Sequence, residues 1–395
     1  MAWGRRSHSP GRRLGIRSPR ASGDAMRADV VDDVRLLDGV VDAWDDLAVS
    51  ARRPYCSPHW LLAWWTTAAP PGASLRVIIL TSGDELVGIA PLCRLSGRAH
   101  LSRYTLLARG CSPRVEPLAR EGCEGSLARA IAHELTSGRT DLPLYLSGIP
   151  TSARWPEDIT ASCSRAWSRT TLIRPAPTLS LEGGFEAWFA SRSANFRQQM
   201  RRSRRKIERQ GVVAAVYTKA EDILSRLDDF ARLHHSRWRR RGGSSVLTPQ
   251  VEAMLRDTAD RFAKTDRLWL STLEHDGSAV SSHLFVVAGG EASYWLGGFD
   301  ETWAPQHPSL ITILNAIEHA SASGGRRVDL NSGGQPYKYR FSDSTEQLRW
   351  SVVLPPAPMR PVRLAAMESH RVVRAAYERL PEAARTQAKR LLRAR

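Results

Sequence analysis

Residues 266–300 read DRLWLSTLEHDGSAVSSHLFVVAGGEASYWLGGFD. Two turn signals, Asp276-Gly277 and Gly289-Gly290, divide this run into three segments rich in β-branched and aromatic residues. Asp-Gly and Gly-Gly supply the positive φ values that tight hairpins need, so the stretch predicts strand, turn, strand, turn, strand. The period then changes. From about Pro308 to about Ala322 apolar residues recur three and four apart, which predicts a helix with Pro308 at its first position and an end at Gly324-Gly325. A short strand, RRVDLN (326–331), runs on into SGGQPYKYRFSD (332–343). The segment therefore ends strand, loop, helix, strand, loop. A helix joining two strands behind a polar, proline-containing loop is a ready anion site, because its first N–H groups lack intrahelical partners.

Upstream, EDILSRLDDFARLHHSRWRRRG (221–242) carries Leu224, Leu227, Phe230, Leu233 and Trp238 on one side of a helix. A second helix, TPQVEAMLRDTADRFAKT (248–265), has Thr248 as its cap and Pro249 at the first position. The first half of the chain repeats this order. VVDDVRLLDGVVDAWDDL (30–47) has helical spacing, SPHWLLAWWTTA (57–68) predicts a helix capped by Ser57, and SLRVIILTSGDELVGIAPLCRL (74–95) reads as a hairpin. Residues 75–92 set beside 268–285 give the same strand, acidic turn, strand unit. Helices followed by a hairpin, twice in one chain, argue for two copies of one α+β module, each a mixed, mostly antiparallel sheet flanked by helices. The expected divisions are a basic leader at 1–25, modules at 26–175 and 176–355, and a basic helical tail at 356–395.

A chain of 395 residues is too long for one ordinary core, and 42% hydrophobic with 25% charged residues is a globular composition. The formal charge of +17 is concentrated in the leader, in RQQMRRSRRKIER (197–209) and in the tail. Such blocks attract polyanions: nucleic acid, membrane phosphates, acidic partners or a polyphosphate cofactor. The five cysteines form no C-x-x-C pair, which argues against a zinc ribbon or a disulfide framework and favours a reducing cytoplasm. No apolar run approaches the ~20 residues of a membrane helix. The chain shows no Ser-His-Asp order, no H-E-x-x-H and no Walker loop, so neither a covalent nor a metal mechanism is indicated.

The run YWLGGFDETWAPQHPSLITILNAIEHASASGGRRVDLNSGGQPYKYRF (294–341) resembles the C-terminal signature of the CelD-like (BioF-like) acetyltransferases of the GNAT superfamily. That signature is roughly Tyr-x-x-x-x-Phe-Asp-x-x-Trp, Ser-Pro-Gly, an apolar helix, then Asp-x-x-x-Gly-x-x-x-Tyr-Lys. NFRQQMRRSRRKIE (195–208), FARLHHSRWRRRG (230–242) and PYCSPHWLLAWW (54–65) are also similar to that family. Here His307-Pro308-Ser309 stands where Ser-Pro-Gly is usual, and Gln335 where Glu is frequent. The resemblance implies two tandem GNAT-like modules as in the Fem-type aminoacyltransferases, acetyl-CoA or another acyl-CoA as donor, and an amine or hydroxyl acceptor in exopolysaccharide or cell-envelope chemistry.

Under that resemblance the strands at 292–299 and 327–331 splay apart around the pantetheine arm. His307, Pro308, Ser309 and Leu310 open the helix that meets the pyrophosphate, and Gly297-Gly298 let the cofactor approach closely; the plain alternative is a β-bulge and an ordinary helix start. Acyl transfer needs a proton acceptor, an oxyanion donor and a proton for the leaving thiolate. Asp329 and His283 are the candidate bases, with a carboxylate paired to Arg326 or Lys338 and a core histidine as the alternatives. Tyr337 is the candidate acid, with Tyr294 as a weaker rival. Lys338 is a candidate fixed charge near phosphate or acceptor, and Asp300 a loop cap. The expected partner is a small-molecule or saccharide acceptor rather than a specific nucleic acid, and the basic tail suits an anionic membrane surface. Two other readings are a Fem-like transferase using aminoacyl-tRNA and a non-catalytic scaffold that binds polyanions.

Overall fold

A computed structural model describes residues 26–96, 102–137, 142–239, 242–356 and 360–361. The basic leader and most of the basic tail lie outside the described residues. The first half runs β1 (Met26–Val31), α1 (Val41–Ser50), α2 (Pro58–Ala68), β2 (Ser74–Ser82), β3 (Glu85–Leu95), β4 (Arg103–Leu106), β5 (Leu118–Ala119), α3 (Glu124–Thr136), β6 (Leu144–Pro150) and α4 (Trp155–Ala161). The second runs β7 (Trp167–Ser180), α5 (Gly184–Ser191), α6 (Ala194–Arg209), β8 (Val213–Tyr217), α7 (Ala220–Arg239), α8 (Pro249–Phe262), β9 (Leu268–His275), β10 (Ser278–Ala288), β11 (Glu291–Phe299), α9 (Pro308–Ala322), β12 (Arg327–Asp329), α10 (Pro336–Phe341) and β13 (Ser344–Leu354).

Among the described residues the strands form one sheet in the order β1-β2-β3-β4-β6-β13-β7-β12-β11-β10-β9-β8, with β5 beside β3. The strand that joins the halves comes last in sequence: β13 pairs antiparallel with β6 on one side and β7 on the other. β7 crosses the expected boundary at 175/176 without interruption. Each half holds one parallel contact, β4 with β6 and β11 with β12, and the remaining pairs are antiparallel. This is the mixed, mostly antiparallel architecture in two copies that the paired hairpins predict.

Local chemistry explains most boundaries. Thr248 caps α8 by accepting from the Val251 N–H, and Pro249 takes the first position, where its missing N–H costs nothing. Ser57 precedes α2 as expected, yet its hydroxyl donates to Asp45 Oδ1 at 2.7 Å and leaves the helix N-terminus without a side-chain cap. The expected helix over 30–47 is corrected: Met26–Val31 is a strand paired with β2, and Asp33 then starts a 3-10 turn over Val34–Val40 by accepting from the Arg35 N–H. A free edge on β2 and a capping aspartate outweigh the apolar spacing there.

Two apolar cores lie on the sheet. One contains Trp44, Tyr55, Trp60, Phe230, Met254 and Trp295, and so spans both halves. Trp60 meets Trp295 edge-on at 5.3 Å, and the Trp295 indole N–H donates to the Cys111 carbonyl at 2.9 Å. The other core, around Trp188, Phe196, Ile317 and Phe341, is confined to the second half and seats α9 under α5 and α6.

Candidate active site

β11 and β12 pair for three residues, Glu291 with Arg327, Ala292 with Val328 and Ser293 with Asp329. β12 then stops, while β11 continues to Phe299. β11 also holds one more residue than β10 between the pairs His283–Gly297 and Phe285–Tyr294, a bulge that bends it further. The two strands therefore part beyond Ser293 and Asp329, and α7 and α9 pack against β11.

The predicted site residues lie on β10, β11, β12, α9 and α10, in surroundings that differ from residue to residue. Asp329 is completely buried. Its Oδ2 accepts from Arg114 Nη1 at 2.9 Å and its Oδ1 from the Asn331 N–H at 2.8 Å. Burial alone would raise its pKa, but the charge and hydrogen bond of Arg114 outweigh burial and hold it below the usual value. A carboxylate so tied cannot take a proton from an acceptor, which corrects the base assignment; the pairing partner is Arg114 rather than Arg326 or Lys338. The loop that carries Arg114 reaches the second module because Gly148 on β6, at φ +75, leaves no Cβ where the Pro113 carbonyl passes; a Cβ would lie 2.1 Å from that oxygen.

Lys338 is 3% exposed and its ammonium donates to the carbonyls of Asn331 and Ser332 at 3.1 and 3.0 Å. It clamps the loop that follows β12 instead of facing phosphate. Burial brings its pKa down to about 8, with Asp329 opposing.

Tyr337, on α10, is half-buried and hydrogen-bonded to Tyr294 of β11. Burial raises its pKa, and Arg237 and the Tyr294 hydroxyl offset this only in part. The phenol therefore keeps its proton at neutral pH while two neighbours stand ready to stabilise the phenolate. Arg237 comes from α7, lies over the Phe299 ring at 5.6 Å, and has no carboxylate partner among the described residues. Sequence reading missed it because its neighbours, Trp238 to Arg241, look like one undifferentiated basic run.

His283, on β10, is 1% exposed and its Nε2 lies 3.0 Å from Ser309 Oγ. Burial, with the positive charge of Arg237 nearby, lowers its pKa to about 3, which corrects its assignment as a base. The glycine pair makes room for protein. A Cβ on Gly297 would strike the His283 ring, and one on Gly298 would strike the backbone of Leu233 and His234 in α7.

The helix start is narrower than expected. His307 holds φ 56 and caps α9 without a side-chain bond. Pro308 has no N–H, and the amides of Leu310 and Ile311 donate to the His307 carbonyl. Ser309 is half-buried, and its hydroxyl lies against the His283 ring. Asp300 caps the preceding 3-10 turn, accepting from the Thr302 N–H at 2.9 Å. On the outer face of α6, Arg201, Arg202, Arg205 and Arg209 are exposed.

Buried histidines should make the domain acid-labile. His234 Nε2 lies 2.9 Å from Ser244 Oγ, and burial lowers its pKa to about 4. Both imidazoles bind a proton more readily unfolded than folded, so their stabilisation is complete above pH 6.5 and is lost as pH falls below it. Between pH 7 and 5 each should cost about 2 kcal/mol. Thermal melts across that range should show the loss, and a flat profile would contradict the neutral assignment.

Residues 194–339 match the family model described as acetyltransferase (GNAT) domain. No curated protein matches the sequence. Among solved structures the chain is similar to FemX, with TM-score 0.60 and 10% identity over 83% of this chain and 98% of that one. It is also similar to the C-terminal domain of a putative lysylphosphatidylglycerol synthetase from Agrobacterium fabrum, with TM-score 0.55 and 12% identity over 84% and 95%. A third likeness, to a conserved protein of unknown function from Bacteroides thetaiotaomicron, has TM-score 0.52 and 11% identity over 83% and 100%. At these identities the likeness is one of fold and spans both halves of the chain, whereas the match to the acetyltransferase (GNAT) domain model is confined to the second half. Among the described residues no helix is long and apolar enough to cross a membrane.

Proposed function

We propose that the second module is an acyl-CoA-dependent N- or O-acyltransferase of the CelD-like kind, using acetyl-CoA or another acyl-CoA. The acceptor proposed is an amine or hydroxyl on a saccharide, a cell-envelope precursor or a small amine. The observation that carries this reading is the three-residue β11–β12 pairing that opens beside a protonated Tyr337. Bound acyl-CoA supplies a thioester whose acyl group passes to the acceptor and whose sulfur leaves as a thiolate needing a proton. The residues present fit that donor: the Ser309 amide and hydroxyl and the Arg237 guanidinium offer hydrogen bonds and charge to anionic oxygens. In this reading Tyr337, which keeps its proton at neutral pH, would give it to the leaving thiolate, and Arg237 would favour the phenolate left behind. Lys338 and Asp329 fix the loop and strand that carry this wall.

Ligand-dependent melting tests the reading. Acetyl-CoA at 100 times its Kd should stabilise the chain by about 2.7 kcal/mol, visible as a rise in Tm. No shift with acetyl-CoA or longer acyl-CoAs, together with tight binding of charged over uncharged tRNA, would replace it with an aminoacyl-tRNA donor.

A further inference from the structure

His283 is fully enclosed, yet its two ring nitrogens meet different surroundings. Nε2 sits 3.0 Å from Ser309 Oγ at the start of α9. Nδ1 is buried and has no hydrogen-bond partner among the described residues. It abuts Gly297 so closely that a Cβ there would lie 2.4 Å away, so a Cα hydrogen of the glycine points at the nitrogen. A lone pair accepts such a C–H contact, whereas an N–H pressed against it would be an orphaned buried donor. The ring therefore carries its proton on Nε2 and donates to the serine.

We infer that Gly297, His283 and Ser309 form a relay in which the imidazole, as the Nε2–H tautomer, occupies a lone pair of the Ser309 oxygen and turns its hydroxyl hydrogen outward as a donor to the donor substrate's pyrophosphate. His283 is then a positioning residue, and Ser309 the residue that touches ligand. A hydroxyl free to rotate spends part of its time donating inward; one whose oxygen already accepts from His283 presents its hydrogen to the cleft. Arg237, which lies over the Phe299 ring, puts a positive charge near the histidine without bonding to the serine. The high burial of the ring keeps it neutral, so the relay does not switch with physiological pH. This rests on the acyl-CoA reading above.

Calorimetry with CoA and with pantetheine, which lacks the pyrophosphate, separates the two. Ser309→Ala should weaken CoA binding roughly 10-fold, the loss of one hydrogen bond to a charged group, and leave pantetheine binding unchanged. His283→Phe should match that loss, and the double variant should add nothing to it. His283→Gln, whose amide nitrogen restores a donor, should bind CoA within about 3-fold of the parent. If His283→Phe fails to fold, nitrogen-15 spectra of the parent still decide: Nδ1 should resonate as unprotonated and Nε2 as protonated. The reverse assignment, full CoA affinity in Ser309→Ala, or additive losses would each overturn the relay. Absence of CoA binding by the parent chain would instead overturn the acyl-CoA reading, and the relay's ligand with it.

Discussion

Arg114→Ala should destabilise the chain by about 3–5 kcal/mol, the cost of leaving a buried carboxylate without its partner. Arg114 is 4% exposed and reaches from the first module to Asp329 at 2.9 Å and to Glu346 on β13 at 2.8 Å. Glu346 also binds Arg327, which in turn pairs with the buried Glu291. Burial and the nearby Asp329 already push Glu291 up to about 7, so the site tolerates no further loss of positive charge. Without the guanidinium, only the Asn331 N–H and the charge of Arg327 oppose burial at Asp329, and its folded pKa should rise above the unfolded value. The folded variant then binds protons that the unfolded chain does not, so its deficit shrinks as pH falls from 7 toward 5. Denaturant melts of parent and variant at both pH values measure this. Asp329→Asn added to Arg114→Ala should recover part of the loss, because it removes the stranded charge. A deficit below about 1 kcal/mol, or one indifferent to pH, would mean that water reaches the pair.

Tyr337→Phe should have the largest effect on activity: turnover lower by about 100-fold, with CoA affinity unchanged, as befits a proton donor used only in the chemical step. Free thiol released from acetyl-CoA in the presence of an amine and saccharide panel provides the rate, and calorimetry the affinity. Tyr294→Phe should cost less, since it removes only one of two groups that favour the phenolate. Equal turnover in the phenylalanine variant would take Tyr337 out of the acid role and leave it as packing against Tyr294.

The residues differ in how much of their position the sequence discloses. The strands at 268–299 and the helix at 308–322 are local facts: Asp276-Gly277 and Gly289-Gly290 turn the chain, Pro308 opens the helix and Gly324 closes it at φ +75. The helix start at Pro308 and the tyrosine after β12 follow from the same local pattern. Asp329, His283 and Lys338 were legible as candidates but not by role, because a titratable residue's role depends on what encloses it. Arg114 lies 215 positions from Asp329 and nothing near it in sequence announces the pairing. Gly297 and Gly298 looked like clearance for a ligand, and only the packing of His283 and α7 against them shows that protein fills the space.

Period, turn chemistry and capping by themselves determine two α+β modules and the strand–helix–strand of the second, since each depends on residues within a few positions of one another. The tertiary structure alone decided that β13 fuses the modules into one sheet, that Asp329 is paired with Arg114, and that the His283 ring is enclosed against Ser309. Those outcomes turn on burial and on partners brought together from distant segments, and a side chain's charge and proton are set by its surroundings, which no local stretch of sequence contains.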